Sequence, residues 1–274
     1  MRLLVTGAAG SIGTVVTAGL LAGGHDVFGL DRVPALDESM VPWFTADCTD
    51  ADAVEAVFAE LVGSGGLDAV VHLAGYPGEA SLPEELASHV VTTAVLLDAM
   101  VAHGVTRMVY ASSNHAVGRT PRAGLPEGLL TVDARPRPDT FYGVGKVAAE
   151  GLLSLYADRY GIDALSTRIG SFLPQPETRR NLATWLSHDD AVRMVEACLT
   201  TPDPGFAVLY GISANTRAWW DLDPGRDLGY HPQDDAETHA ARIEATPATA
   251  DDDAEAAHVG GPFAGETFYR KALD

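Results

Sequence analysis

A doubly wound α/β fold built on a parallel sheet is predicted by three features of the sequence. Short β-branched runs alternate with longer helix-like stretches. The short runs are apolar almost throughout, as in strands covered on both faces. Turns rich in glycine and proline separate the two kinds of segment.

Taken in order, Arg2–Thr6 is the first expected strand, and the glycine-rich turn after it opens a helix over Ile12–Ala22. Asp26–Leu30 and Pro42–Thr45 follow as short apolar strands, then a helix over Ala51–Val62 that stops at Gly63-Ser64-Gly65-Gly66. A strand over Ala69–Leu73, a helix over Ala87–Ala102 and a strand over Arg107–Ala111 repeat the alternation. After the break at Arg135–Pro138 come a helix over Tyr142–Tyr160 and a strand over Ala164–Ile169. After Pro174–Pro176 come a helix over Asp189–Leu199 and a strand over Phe206–Tyr210. Beyond about residue 211 the pattern decays into Asp-, Ala- and Pro-rich sequence. Its acidic run Asp251-Asp252-Asp253 reads as solvated loop or charged surface helix.

The chain has 274 residues, which suits one large domain with a small lobe. The expected division is residues 1–170 for a nucleotide-binding domain and 171–274 for a substrate lobe, with the strand near 206–210 returning to the core. Its 38 acidic and 18 basic residues leave −20, so a grip on nucleic-acid phosphates is excluded. The apolar start is too short for a signal peptide and no run approaches the ~18 residues that span a bilayer, so a soluble cytoplasmic protein without membrane contact is expected. Cys48 and Cys198 form no CxxC pair and read as buried thiols. None of the nine histidines falls in HExxH, and His188-Asp189-Asp190 reads as a helix start, so no metal is expected.

Gly7-Ala8-Ala9-Gly10-Ser11-Ile12-Gly13 places three glycines at the first strand-to-helix turn. Without Cβ atoms such a turn lets the backbone approach a pyrophosphate, while the helix start offers free N–H groups and a positive dipole end. Asp31, at the end of the second strand, can accept hydrogen bonds from both ribose hydroxyls and repels a 2′-phosphate, which favours NAD over NADP even with Arg32 beside it. Asp47 is placed to reach the adenine amine, with Cys48 next to it; helix N-terminal charge is the other reading of Asp47.

Tyr142 and Lys146 stand four residues apart at the start of a helical stretch, so phenol and ammonium share one face. Only two lysines occur in the chain, which makes a chance pairing at this spacing improbable. A phenol titrating near 10 needs roughly 4 kcal/mol of help to act as a base near neutrality, and a nearby lysine plus an oxidised nicotinamide are the expected sources. Upstream, Ser112-Ser113-Asn114-His115 are delivered to the carboxyl edge of the sheet, where ligands bind in this class of fold.

With the glycine triplet, Asp31, a serine at the strand end and Tyr-x-x-x-Lys, the chain resembles the extended short-chain dehydrogenase/reductase superfamily, with its Rossmann-type fold, over nearly its whole length. Ala111-Ser112-Ser113-Asn114-His115, Arg168-Ile169-Gly170-Ser171, Ala183-Thr184-Trp185-Leu186-Ser187-His188-Asp189-Asp190, Tyr210-Gly211-Ile212-Ser213-Ala214-Asn215 and Trp219-Trp220-Asp221 are similar to the uronate dehydrogenases within it. That resemblance implies NAD-dependent oxidation of the C1 hydroxyl of galacturonate or glucuronate by a soluble homo-oligomer. It implies a catalytic set of Tyr142, Lys146 and Ser113. The implied cofactor set is Gly7, Gly10, Ser11, Ile12, Gly13, Asp31, Asp47, Cys48, Leu73, Ala74, Gly75 and Ser112, with Tyr142 and Lys146. The implied substrate set is Ser113, Asn114, His115, Tyr142, Ser171, Arg180 and Phe263, with Ser171 and Arg180 on the carboxylate.

A guanidinium fits that carboxylate through two parallel hydrogen bonds, which an ammonium cannot make. Spacing does not say whether Arg179 or Arg180 points inward. Two positions depart from the family: Tyr76-Pro77 limits a substrate contact there to backbone or packing, and His89 stands where an asparagine usually bends the helix and places a proton-relay water. Trp219-Trp220 reads as packing rather than a sugar platform. Competing readings are an aldose or sugar-phosphate dehydrogenase, a nucleotide-sugar epimerase and a non-catalytic NAD-sensing regulator. Gly211-Ile212-Ser213-Ala214-Asn215 lacks the last glycine of a nucleophile elbow, which excludes a serine hydrolase.

Overall fold

The computed structural model describes all residues except 36–38, 124, 126–128, 250–251, 253–254 and 274, so Asp251 and Asp253 of the acidic run lie outside the described residues. Strands β1 (Arg2–Thr6), β2 (Asp26–Asp31), β3 (Trp43–Thr45), β4 (Ala69–His72), β5 (Arg107–Ser113), β6 (Asp163–Ile169) and β9 (Phe206–Gly211) form one sheet in the order β3-β2-β1-β4-β5-β6-β9. Every pair is parallel. The connections run outward from β1 to β3 and then cross back to β4, so the switch point lies between β1 and β4, where such sheets bind ligands.

Helices cover both faces. Among them α1 (Ser11–Ala22) and α7 (His188–Thr200) seal one side, with Val16, Leu20, Met194 and Val195 against Leu3, Val5 and Val71. On the other, α2 (Ala51–Gly63), α4 (Thr92–His103) and α5 (Phe141–Tyr160) bring Val54, Phe58, Leu97 and Leu153 onto Leu4, Val70 and Met108. Thus α7 and β9, which follow residue 171 in the chain, belong to the main layer structure. A separate two-stranded sheet joins β7 (Ser171–Phe172) and β8 (Trp185–Leu186), with α6 (Asn181–Thr184) between them in the chain. Trp219 and Trp220 are buried with Tyr210 and Leu130, as packing residues are.

The expected helix over Ala87–Ala102 begins five residues earlier. Ser81 and Glu84 form a capping box, with Pro83 in the first turn, and start α3 (Leu82–Glu85). A π-helical turn over Leu86–Val91 then joins α3 to α4. The composite helix Leu82–His103 is long and apolar enough to cross a membrane, contrary to the expectation that no run approaches that length. Here Leu96, Leu97 and Met100 make it a wall of the core.

Candidate active site

Two adjoining cavities, of about 490 and 310 Å³, open at the carboxyl ends of the strands and share Leu73, Gly75, Tyr76 and Pro77. Gly7, Gly10, Asp31, Asp47, Cys48 and Ala74 border the larger one. Gly7 has φ +68°, and a Cβ there meets Ala74 N at 2.6 Å, so the loops after β1 and β4 close on each other only because residue 7 is glycine. A Cβ on Gly13 falls 2.1 Å from Gly7 O. Gly10 precedes α1 without a capping side chain and no acidic residue stands in the first turn, which leaves an anion-binding helix end. Ser11 is exposed at that end, and Ile12 reaches the smaller cavity. These features fit a dinucleotide.

Asp31 accepts hydrogen bonds from Ala9 N (3.0 Å) and Val33 N (3.1 Å), which fix its carboxylate beside the glycine turn. Asp47 accepts from both Thr49 N and Thr49 Oγ1 at 2.8 Å, and these bonds hold its carboxyl below the usual range. Helix capping belongs instead to Asp50, which accepts from Asp52 N and Ala53 N. Burial pushes the Cys48 thiol up to about 12, so it is packing rather than a nucleophile.

The smaller cavity is bordered by Ser113, His115, Tyr142, Lys146, Phe172 and Phe263, among others. Tyr142 stands in the first turn of α5. Thr140 Oγ1 accepts from Gly143 N (3.0 Å), while Glu79 accepts from Phe141 N (3.0 Å) and Tyr142 N (2.9 Å). Four residues on, Lys146 donates to Ala111 O (2.7 Å), its ammonium 5.4 Å from the Tyr142 ring. A further turn brings Glu150, which binds Arg168 at 2.8 Å and accepts from Ser112 and Ser166, tying this helix face to β5 and β6. The Ser112 hydroxyl therefore points to Glu150, and Ser112 offers the cavity no free hydroxyl.

Desolvation pushes the Tyr142 phenol up to about 12, only partly offset by a hydrogen bond with Ser113. It also pulls Lys146 down to about 7, against the charges of Glu85 and Glu150. Lys146 is one of the two expected sources of help, and by itself it does not bring the phenol into the neutral range, because burial acts on both groups and penalises the charged form of each.

His115 Nδ1 lies 2.9 Å from Asp139, whose side chain is fully buried. A Cβ on Gly118 or Gly260 falls within 2.0 Å of Asp139 Oδ2, so two glycines make room for this carboxylate. The His115 ring is 4.4 Å from Phe263 and 5.7 Å from Tyr142, centroid to centroid. Asn114 is buried, does not border either cavity, and has an unpartnered Oδ1.

Arg180 donates to Val259 O (2.6 Å), Ser171 Oγ (3.3 Å) and Thr184 Oγ1 (3.4 Å), and its buried Nε has no partner. Neither Arg180 nor Ser171 borders either cavity, although Ser171 lies in the chain between the lining residues Gly170 and Phe172, and no ion pair among the described residues includes Arg180. Arg179 turns away to Thr246 O and Glu244, so Arg180 is the inward member of the pair.

The NAD dependent epimerase/dehydratase family matches residues 3–187 of the chain. The chain belongs to this family. Within the NAD dependent epimerase/dehydratase family it is 38% identical to the uronate dehydrogenase of Pseudomonas putida, covering 96% of this chain and 95% of that one. It is 37% identical to a variant of uronate dehydrogenase from Agrobacterium tumefaciens crystallised with NAD, with a TM-score of 0.88 and coverage of 98% and 99%. The NAD-dependent glucose-6-phosphate dehydrogenase of Haloferax volcanii is 36% identical over 85% of this chain and 94% of its own.

Sequence reasoning missed Glu79, Asp139, Glu85 and Glu150. The last two sit four residues from His89 and Lys146 and were readable as helix-face partners. Glu79 and Asp139 act from loops, where spacing carries no signal.

Proposed function

We propose that the chain oxidises the C1 hydroxyl of a hexuronate, galacturonate or glucuronate, with NAD, giving an aldarolactone that opens to the aldarate in water. The observation that carries this reading is a Tyr142–Lys146 pair bordering a cleft, with Arg180, a cation without a carboxylate partner among the described residues, bonded to Ser171 between the lining residues Gly170 and Phe172. Homology to uronate dehydrogenases over nearly the full chain supports it.

The glycine turn, the open α1 terminus and Asp31 hold the adenosine and pyrophosphate end of NAD, and Lys146 holds the nicotinamide ribose. When bound, NAD supplies the hydride acceptor and, in its oxidised form, a positive charge beside the phenol. Tyr142 accepts the C1 hydroxyl proton, while Ser113 donates to the same oxygen and Lys146 stabilises the charge on the phenolate. Bringing a phenol from about 12 to neutrality takes about 7 kcal/mol, so ionisation of Tyr142 belongs to the cofactor-bound protein. Arg180 and Ser171 orient the sugar carboxylate, and His115 and Phe263 bound the ring. Residues 1–170 serve NAD and 171–274 serve substrate, with α7 and β9 returning to the main sheet. A cytoplasmic homo-oligomer goes with this role.

A sugar-phosphate dehydrogenase is the nearest alternative, since a guanidinium also binds phosphate. NADH absorbance with galacturonate, glucuronate, glucose and glucose 6-phosphate separates them. The proposal predicts turnover with the uronates; preference for the phosphate refutes it.

A further inference from the structure

The loop between β4 and α3 forms a wall common to the two cavities, since Gly75, Tyr76 and Pro77 border both. Two backbone groups pin it to the helix that follows: Tyr76 N donates to Ser88 Oγ (2.7 Å) and Ala80 N to Glu85 Oε1 (2.7 Å). Glu79, from the same loop, reaches α5 instead. Its two oxygens accept separately, Oε1 from Phe141 N (3.0 Å) and Oε2 from Tyr142 N (2.9 Å), the first two residues of that helix.

A helix start leaves such N–H groups without intrahelical partners. Thr140 caps Gly143 N alone, and α5 has no acidic residue in its own first turn, while the nearby Asp139 is paired with His115. Glu79 therefore supplies from outside the carboxylate that complements the positive end of the helix dipole. The body of α5 is anchored without it, because Lys146 donates to Ala111 O and Glu150 holds Arg168, Ser112 and Ser166. Those anchors begin four residues beyond Tyr142, so the placement of the first turn falls to Thr140 and Glu79. The turn sits on the segment that carries Ser113, the hydrogen-bond partner of the phenol: a Cβ on Gly143 falls 2.4 Å from His115 O.

We propose that Glu79 is a positioning residue for Tyr142: by holding the peptide N–H of the tyrosine itself, it sets the phenol relative to the wall common to the cofactor and substrate cavities. Glu79 borders neither cavity and acts through Tyr142. A misplacement of about 1 Å at a reacting group costs on the order of 100-fold in rate, and Thr140 still caps the turn, so Glu79→Ala is expected to lower kcat about 10- to 100-fold. The inference rests on the proposed role of Tyr142 as base and not on which sugar is oxidised.

One arm of its test is independent of any substrate. In ¹H–¹⁵N spectra of the ligand-free protein, the Phe141 and Tyr142 amide protons are expected to move upfield in Glu79→Ala, with Glu79→Gln, which keeps one acceptor, in between. Amide resonances that stay in place overturn the proposal. With uronate and NAD, kcat is expected to fall in the same order, while uronate KM and NAD Kd stay within about twofold and each chain still binds one NAD. The isotope effect from deuterium at C1 should equal or exceed that of the wild type, because the slowed step is the chemical one. An unchanged kcat, a loss matched by fewer NAD sites, or a smaller isotope effect overturns the proposal. Failure of the uronates alone refutes the substrate reading, and the same kinetic comparison is then made with glucose 6-phosphate.

Discussion

Replacing Arg180 by alanine is expected to separate charged from neutral sugars. The guanidinium has five N–H donors. Its contacts to Val259 O, Ser171 and Thr184 use three of them and leave Nε–H and a second Nη2–H without a partner among the described residues. Burial lowers Arg180 to about 10, so it remains charged at neutral pH. A hydrogen bond to a charged group contributes about 1.5–3 kcal/mol, so losing two removes about 3–4 kcal/mol at the conservative end. At about 1.4 kcal/mol per decade, kcat/KM for galacturonate should fall about 100- to 1,000-fold. Galactose, which lacks the carboxylate, should change by less than threefold. Arg180→Lys keeps the charge without the planar fork and should lie between. NADH absorbance on both sugars, with thermal unfolding as a control for folding, gives the ratio. An equal loss for acid and neutral sugar refutes the carboxylate assignment.

Tyr142→Phe should abolish NADH formation while leaving NAD Kd, measured by fluorescence titration, within a few-fold; retained turnover removes the phenol from its role. Asp31→Ala should weaken NAD and improve NADP, since it removes the charge that repels a 2′-phosphate; an unchanged kcat/KM ratio for the two cofactors contradicts that placement. Lys146 binds its proton less tightly folded than unfolded, so the unfolded chain holds more protons between about pH 7 and 10.5 and stability rises with pH there. The slope from this group approaches about 1.4 kcal/mol per pH unit, and Lys146→Met should remove it from denaturant titrations. A slope unchanged in the variant shows that other groups carry it.

Most of the fold was legible because each strand is a contiguous apolar run and each turn carries its own chemistry. All seven sheet strands and the main helices lie within a few residues of expectation. The exception, Leu82–Glu85, depended on a capping box ahead of the apolar stretch, and the π turn after it reflects tertiary packing of Glu85 and His89 on α5 rather than local propensity. Tyr142, Lys146 and Asp31, which spacing on regular elements singled out, all border the two cavities. Ser112, read as a cofactor contact, borders the smaller cavity, while its hydroxyl is drawn to Glu150, a partner 38 residues away that no local pattern announces. The direction of the Tyr142 shift was also hidden, because desolvation depends on what encloses the ring.

The central claim is hydride removal from C1 of a uronate. With galacturonate deuterated at C1, the protein is expected to place the label on the reduced cofactor, with a primary isotope effect and a lactone as first product by NMR. Deuterium retained on the sugar, or a product altered at another carbon, contradicts it.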